Sequence, residues 1–405
     1  MNILHVSAQR PDSTGSGVYL RETVDALESR GHDQAVVAGV GPHDASPFSE
    51  HVLFEPVRFE SEALPFPVVG MSDVMPYPST RYRDLTPDMA ARFKAAFSAA
   101  FDHVFARFKP DIVICHHLYI VCSVLIVWFE RHPEERARCS VRGVCHNTDL
   151  RQYESHGLER AAINRAVRSL DEVLALHEGQ AREIAEIHGI DPARIRVSGI
   201  GFNDRLFRPD PALRPSAGGR LIYVGKLWKQ KGLMELFEAL DRLDARVARG
   251  LHLELVGGYS DVGERDEIVA RAKACRVPTT FSGQLDQEQV RTRYQRSDVF
   301  VLPSFSEGLP LVSVEALACG CKVVMTDLPG IRAWFDRSVP HAPVWFAELP
   351  QLVQDGTWRI ASDESRDRFV NSLSAAVEEA LDSESAPCDV TNLSWNALAQ
   401  RLIAH

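Results

Sequence analysis

The sequence predicts an α/β protein of two doubly wound, Rossmann-like domains facing a central cleft. Three observations carry that expectation. Apolar runs alternate with segments of helical period from end to end, which is the pattern of parallel sheets covered by helices. At 405 residues the chain has room for two or three domains, and either half can bury its own core. The alternation halts once, at the Gly-, Pro- and Arg-rich stretch RVSGIGFNDRLFRPDPALRPSAGGR, and then restarts. The domains read from this are 1–203 and 204–386, with 387–405 carrying a last helix, near 393–404, that returns to the first domain. Ligands of open α/β sheets bind outside the C-terminal strand edges, so two such domains predict a cleft between those edges.

The elements follow in order. NILHVSA is a strand, GVYLRETVDALESRGH a helix closed by Gly31, and DQAVVAGV the next strand. Residues 61–88 break the pattern: they are rich in Pro and hold Met71, Tyr77, Arg81, Tyr82 and Arg83. A loop this long is either functional or disordered, and its aromatic content favours a lid. Phe93, Phe97, Phe101, Phe105 and Phe108 then recur at helical spacing, the mark of a core face rather than an aromatic ligand groove. DIVICHH and RGVCHNT are strands, and EVLALHEGQAREIAEIHGI is a strand plus helix. After the connection, LIYVGKL, HLELVGG, TTFSGQL, DVFVLPS and KVVMTD build the second sheet.

Composition narrows the partners. Apolar content of 45% with 25% charged residues is that of a soluble globular protein. A net charge of −10 repels nucleic acid and anionic membrane, so neither is an expected partner. MNILHVSAQRP lacks a basic leader before an apolar run, and IVCSVLIVWF is too short to span a bilayer. No basic amphipathic helix stands out, and membrane association is not expected. Eight cysteines without a CxxC pair fit reduced thiols and a cytoplasmic protein. Composition leaves a homo-oligomer open.

The chemistry concentrates in FVLPSFSEGLPLVSVEALACGCKVV. Here a buried strand turns into an amphipathic helix over Leu311–Cys319. Pro310 suits the first helical turn, where its missing N–H costs nothing. The amides of Leu309, Leu311 and Val312 then face out of a helix start, a phosphate site. Glu307 precedes the turn, and Glu315 leans back toward it from inside the helix. Carboxylates accept hydrogen bonds from hydroxyls, so the combination suits a ligand with phosphate in the middle and a diol at each end. A capping glutamate beside a solvated one is the equally open structural reading. YVGKLWKQKGLMELFEAL tips the balance, because Lys226 follows a strand and Lys231 opens the next helix, and two ammonium groups can neutralise a diphosphate.

FSEGLPLVSVEALACG resembles the E-x7-E signature of the retaining family 4 glycosyltransferases, which have the GT-B fold. VGKL…KGL…LFEAL is similar to their diphosphate-binding segment, GSGVYLRETVDALESRGH to their first loop and helix, and VCHNTD to the strand of their cleft histidine. LALHEGQAREIAEIHGIDPARIRV and the tail LSWNALAQRLIAH also look alike, so the resemblance spans nearly the whole chain. It implies catalytic roles for Glu307, Lys231, Lys226 and His146. It implies donor contacts from Gly15, Gly17, Lys226, Lys231, Leu285, Glu307, Gly308, Leu309, Leu311, Val312 and Glu315. The lysines would grip the diphosphate, Glu315 the ribose, and Glu307 the transferred sugar; Gly15 and Gly17 would let the first loop approach the donor, where a Cβ would obstruct. His116, His117, Asn147, Arg81 and Arg83 are the candidates for a small polar or anionic acceptor. The donor implied is a nucleotide-sugar, UDP preferred, with no metal and no cofactor, in a reaction on one face of the sugar.

The chain departs from the family pattern at Lys226, often arginine, at STGSG in the first loop, at His177 and at SGIGFND. A sugar-nucleotide epimerase of the same fold, an NAD-dependent Rossmann oxidoreductase and an inactive binding module are the rivals. The oxidoreductase wants G-x-G-x-x-G after a strand, and GSGVYL supplies only Gly15 and Gly17. Cys115, His116, His117, Cys145 and His146 offer zinc-ligand chemistry, but adjacent strand residues point to opposite faces, so four would rarely converge.

Overall fold

The computed structural model describes residues 1–73, 75–213, 219–259, 261–354, 357–384 and 388–404. They form two compact units, one of Met1–Gly201 with Trp395–His405, the other of Phe202–Ser394. The expected boundary at 386/387, residue 74 of the 61–88 segment and residues 214–218 of the connection lie outside the described residues.

The first unit holds strands β1 (Asn2–Ser7), β2 (Asp33–Val40), β3 (Leu53–Arg58), β4 (Val69–Gly70), β5 (Thr80–Arg81), β6 (Ile112–His116), β7 (Ser140–Val144), β8 (Glu172–Ala175) and β9 (Ile195–Val197). Seven of them make one parallel sheet in the order β3-β2-β1-β6-β7-β8-β9. Val, Ile and Leu runs suit strands buried on both faces, and β1, β2 and β6 are buried along almost their whole length. The polar exceptions His5, Gln34, His116 and Arg142 are therefore conspicuous. The helix Pro87–Arg107 turns Phe93, Phe97, Phe101 and Phe105 into the core, and Phe105 stacks on Trp128 at 4.4 Å. Phe108 is partly buried against the same cluster.

The 61–88 segment is neither lid nor disordered chain. Leu64, Phe66, Val68, Val69, Met71, Tyr77, Tyr82 and Leu85 belong to the same buried cluster as the phenylalanine helix. The aromatic residues that argued against disorder are core fillers, each stabilising by about 1.5–3 kcal/mol on burial. The helix Trp395–Ile403 buries Trp395, Leu398, Ala399 and Leu402. Arg142, only 3% exposed, donates to the carbonyls of Leu402 and, at 2.9 Å, Ala404.

The second unit holds β10 (Arg220–Val224), β11 (His252–Val256), β12 (Thr279–Gly283), β13 (Val299–Leu302), β14 (Lys322–Thr326), β15 (Val344–Ala347) and the antiparallel hairpin β16 (Leu352–Gln354) and β17 (Trp358–Ile360). Its parallel sheet runs β12-β11-β10-β13-β14-β15. β10 to β14 are the five strands expected, whereas β15 and the hairpin are additional. The helix Leu311–Ala318 starts one residue past Pro310, which is its N-cap in extended conformation (φ −76°, ψ 96°) rather than its first helical residue. No side chain caps this helix.

Candidate functional site

In the second unit, β10 and β13 are neighbours, so the turns leaving their C-terminal ends lie side by side. Three contacts join these turns. The Phe305 amide donates to the Gln230 carbonyl at 3.2 Å. Gly232 (φ +70°) lies so close to β13 that a Cβ there would sit 2.0 Å from the Pro303 carbonyl oxygen. Lys231 Nζ donates to Glu307 Oε1 at 2.7 Å, with side chains 22% and 17% exposed.

Lys226 follows β10. Its ammonium lies 4.5 Å above the Trp228 ring, a cation–π contact, and the Tyr223 hydroxyl donates to its carbonyl at 2.7 Å. Burial, and to a smaller extent Lys231, pull the Lys226 ammonium down from the ordinary lysine value while Glu264 opposes them. Glu315, 7% exposed, sits in the second turn of Leu311–Ala318. Burial pushes its carboxyl up to about 8. Among the described residues no cation or donor offsets that burial, so the group is mainly protonated at neutral pH.

Leu309 is buried, and Gly308, Leu311 and Val312 are half-buried around the same turn. Leu285 stands apart from them in sequence and contacts, half-buried between β12 and the helix Gln287–Gln295. Chemically, the two ammonium groups and the uncapped helix start make a cation-rich pole, beside which stand the Glu307 carboxyl, held by Lys231, and the buried Glu315 carboxyl.

In the first unit, the candidates gather at the C-terminal ends of β6 and β7. His116, His117 and His146 lie ring to ring, His116–His146 at 5.7 Å and His117–His146 at 4.7 Å between centroids. Asn147 (φ +70°) turns the chain into the helix Thr148–Ser155. That turn lets Asp149 fold back, accepting from the His146 amide at 2.5 Å and from His117 Nδ1. Asp149 is 1% exposed; burial raises its carboxyl, but its interaction and hydrogen bond with His117 outweigh burial, so the net shift is downward. Asp149 therefore holds the His146 backbone, not its ring. Gln9 donates to His117 Nε2 at 2.6 Å and to Ser16 Oγ at 2.8 Å, tying the first loop to the histidines.

Gly17 and Gly15 differ. A Cβ on Gly17 would lie 2.7 Å from the Arg10 carbonyl oxygen, whereas one on Gly15 meets nothing within 4 Å. Arg81 and Arg83 are exposed and paired with Asp84 at 2.6 Å and Asp73 at 3.1 Å, and among the described residues no hydrogen bond or ion pair joins them to His116, His117 or His146. Cys115 and Cys145 are buried thiols. Among the described residues no three His, Cys, Asp or Glu side chains form a metal-holding group, and no helix is long and apolar enough to cross a membrane.

Sequence reasoning passed over His5, Gln9 and Gln34. The available signal was polar side chains inside strands or strand ends otherwise wholly apolar, since buried polar groups need partners.

Two family models match, Glycosyl transferase 4-like domain over residues 14–201 and Glycosyl transferases group 1 over residues 209–339. The putative teichuronic acid biosynthesis glycosyltransferase TuaC of Bacillus subtilis (strain 168) is 29% identical over 202 residues, covering 47% of this chain and 48% of that protein. The chain thus spans about half the length of such curated relatives. Among solved structures, sucrose-phosphate synthase from Thermosynechococcus elongatus superposes with a TM-score of 0.62 at 19% identity over 99% of this chain and 97% of that one. The E. coli trehalose-6-phosphate protein bound with UDP-2-fluoro glucose gives 0.66 at 13% identity over 99% and 98%. At these identities the structures speak for the fold.

Proposed function

This chain belongs to the family 4 type of glycosyltransferases with the GT-B fold, and from that premise we propose that it moves a hexose, with retention, from a nucleotide-diphosphate sugar to a hydroxyl of a small polar or anionic acceptor. UDP is the preferred nucleotide, in keeping with the UDP-sugar held by one structural neighbour. The observation that carries the reading is the joining of Lys231 and Glu307 across two strand-to-helix turns. An enzyme that expels a diphosphate needs fixed positive charge where negative charge develops. It needs a carboxylate beside that charge to orient sugar hydroxyls.

The roles follow. Lys226 and Lys231 neutralise the diphosphate as the bond from the anomeric carbon to the phosphate oxygen breaks and its electron pair passes to that oxygen. Glu307 faces the sugar and Glu315 the ribose; the amides around Leu309, Leu311 and Val312 meet phosphate and sugar oxygens, with Gly308 keeping the turn open. The acceptor oxygen bonds to the same face of the sugar, and its proton leaves on the departing phosphate. Because departure leads attack, positioning contributes more than a strong base. His146 meets a hydroxyl of the sugar or acceptor. A cytoplasmic site of action accords with eight unbridged cysteines.

The test needs no acceptor. Thermal shift with UDP, GDP, ADP and their sugars, followed by release of free nucleotide from the best donor, should single out a UDP-sugar. Lys231→Ala should cut the release by a large factor, and Glu315→Ala should weaken binding of the nucleotide alone. Normal behaviour of both variants would refute the site. Recovery of an epimerised sugar still on its nucleotide would replace transfer by epimerisation.

A further inference from the structure

A row of buried side chains crosses the first unit beneath His146, and none of them enters the reaction just proposed. It begins at Gln34 in β2, 2% exposed, whose Nε2 donates to the Val24 carbonyl at 2.8 Å. That bond turns Oε1 of Gln34 toward Nε2 of His5, 3.2 Å away. His5 Nδ1 lies 3.3 Å from His116 Nε2, and His116 Nδ1 lies 3.4 Å from His146 Nε2. His5 and His116 are 0% and 1% exposed.

A neutral imidazole carries one proton, so one of its nitrogens donates and the other accepts. The row then has a single solution. An amide oxygen only accepts, so His5 carries its proton on Nε2 and leaves Nδ1 bare. His116 must donate to that bare nitrogen from Nε2, and its own Nδ1 is bare. His146 must donate from Nε2 in turn, which leaves its Nδ1 bare. Among the described residues that last nitrogen has no partner. The rings are neutral at physiological pH: burial lowers His5 to about 4 and His146 to about 3, and it lowers His116 well below the usual value.

We propose that Gln34 is a positioning residue that sets the tautomer of His146 through His5 and His116, presenting His146 Nδ1 as a hydrogen-bond acceptor. The ligand group opposite it is then a donor, a hydroxyl of the sugar or acceptor and not a phosphate or carboxylate oxygen. This ligand assignment rests on the function proposed above, whereas the tautomer does not. His117 supplies a contrast within the same cluster. It gives its Nδ1 proton to Asp149 and accepts from Gln9 at Nε2, so it holds the opposite tautomer.

Long-range nitrogen–proton correlation spectra of the full chain, labelled with ¹⁵N-histidine at pH 7.5, test this directly. His5, His116 and His146 should show the Nε2–H pattern and His117 the Nδ1–H pattern. Gln34→Leu removes the oxygen that orders the row, so His146 should change from one tautomer to a mixture. A wild-type His146 protonated on Nδ1 overturns the proposal, and this reading stands even if Gln34→Leu does not fold. So does a folded Gln34→Leu with an unchanged His146 pattern. His116→Phe cuts the row at its middle and should free His146 in the same way; an unaltered pattern there also overturns it. A chain that binds no nucleotide-sugar but shows these tautomers would refute the function and not the row.

Discussion

Lys231 Nζ and Glu307 Oε1 lie 2.7 Å apart although 76 residues separate them in the chain. The pair is mostly shielded, so each side chain lost alone leaves a partner half-buried and uncompensated. A double-mutant cycle with Lys231→Ala and Glu307→Ala, followed by denaturant unfolding of the second unit, should give a coupling of about 1 kcal/mol. In the same proteins the proposed chemistry predicts that Lys231→Ala lowers nucleotide release by about 10²–10³-fold. Additive stabilities would show that the contact contributes nothing to folding. An unchanged release rate would remove Lys231 from the reaction.

Glu315 makes stability and binding depend on pH. Its folded value near 8 lies above the ordinary 4.5, so the folded chain keeps a proton that the unfolded chain loses. Stability is therefore greatest below the ordinary value, falls as pH rises through the window from 4.5 to 8, and levels off above it. The slope approaches about 1.4 kcal/mol per pH unit in mid-window. Glu315→Gln has no proton to lose, so its melting temperature should decline less than wild type between pH 5 and pH 8. Hydroxyls that donate to Glu315 favour its charged form. Nucleotide binding should then expel up to one proton at pH 7, read by calorimetry in buffers of different ionisation enthalpy. Identical heats in all buffers would separate Glu315 from the ligand.

These relationships also mark what the sequence made legible. YVGKL and FVLPS each read as a strand entering a turn, and β10 and β13 are those strands. That their turns touch was not legible, because parallel neighbours need not be consecutive and only the sheet order places β10 beside β13. The phenylalanine helix was legible from period alone. The 61–88 segment was not: its prolines scramble any period, and its core role shows only when Phe66 and Tyr82 are seen packed with Phe93. β15 is four residues long and follows the turn-like stretch VPHAP, too short for alternation to show. His5 and Gln34 were read as ordinary strand residues, since nothing in NILHVSA or DQAVVAGV says which face holds a polar partner. The helix expected over Leu311–Cys319 starts at Leu311 and ends one residue earlier, at Ala318, the margin by which helix ends are commonly uncertain.

Two glycines should respond in opposite ways to the same methyl group. At Gly232 the positive φ costs an L residue about 1–2 kcal/mol, and the added Cβ would also meet the Pro303 carbonyl oxygen at 2.0 Å. The turn must shift, and Lys231 shifts with it. Gly232→Ala should lower stability by more than the strain alone and reduce nucleotide release. Gly15 opens the helix Gly15–Glu28 with nothing within 4 Å of a Cβ. Gly15→Ala should fold as well as wild type or gain up to about 1 kcal/mol from helix propensity. If Gly15→Ala loses nucleotide-sugar binding at full stability, the open space at Gly15 belongs to the ligand. Equal thermal shifts for the two variants would contradict the packing at Gly232.

The helix Trp395–Ile403 should be indispensable to the first unit for an electrostatic as well as an apolar reason. Its buried face removes Trp395, Leu398 and Leu402 from water, about 1.5–3 kcal/mol each. Its C-terminal carbonyls also accept from Arg142, which is 3% exposed and has Glu172, at 3.5 Å, as an ionic partner. Truncation after Ser394 strips the guanidinium of those carbonyls, about 1.5–3 kcal/mol for each hydrogen bond to a charged group, and uncovers it to water. The sum with the apolar face reaches the whole stability of an ordinary domain, so the truncated first unit should show no cooperative melt. Arg142→Met in the full chain removes the same hydrogen bonds but keeps the apolar face, and should show a cooperative but lower transition. If the truncated chain melts as wild type does, the helix is an ornament of the unit. If Arg142→Met melts as wild type does, the apolar face alone accounts for the effect.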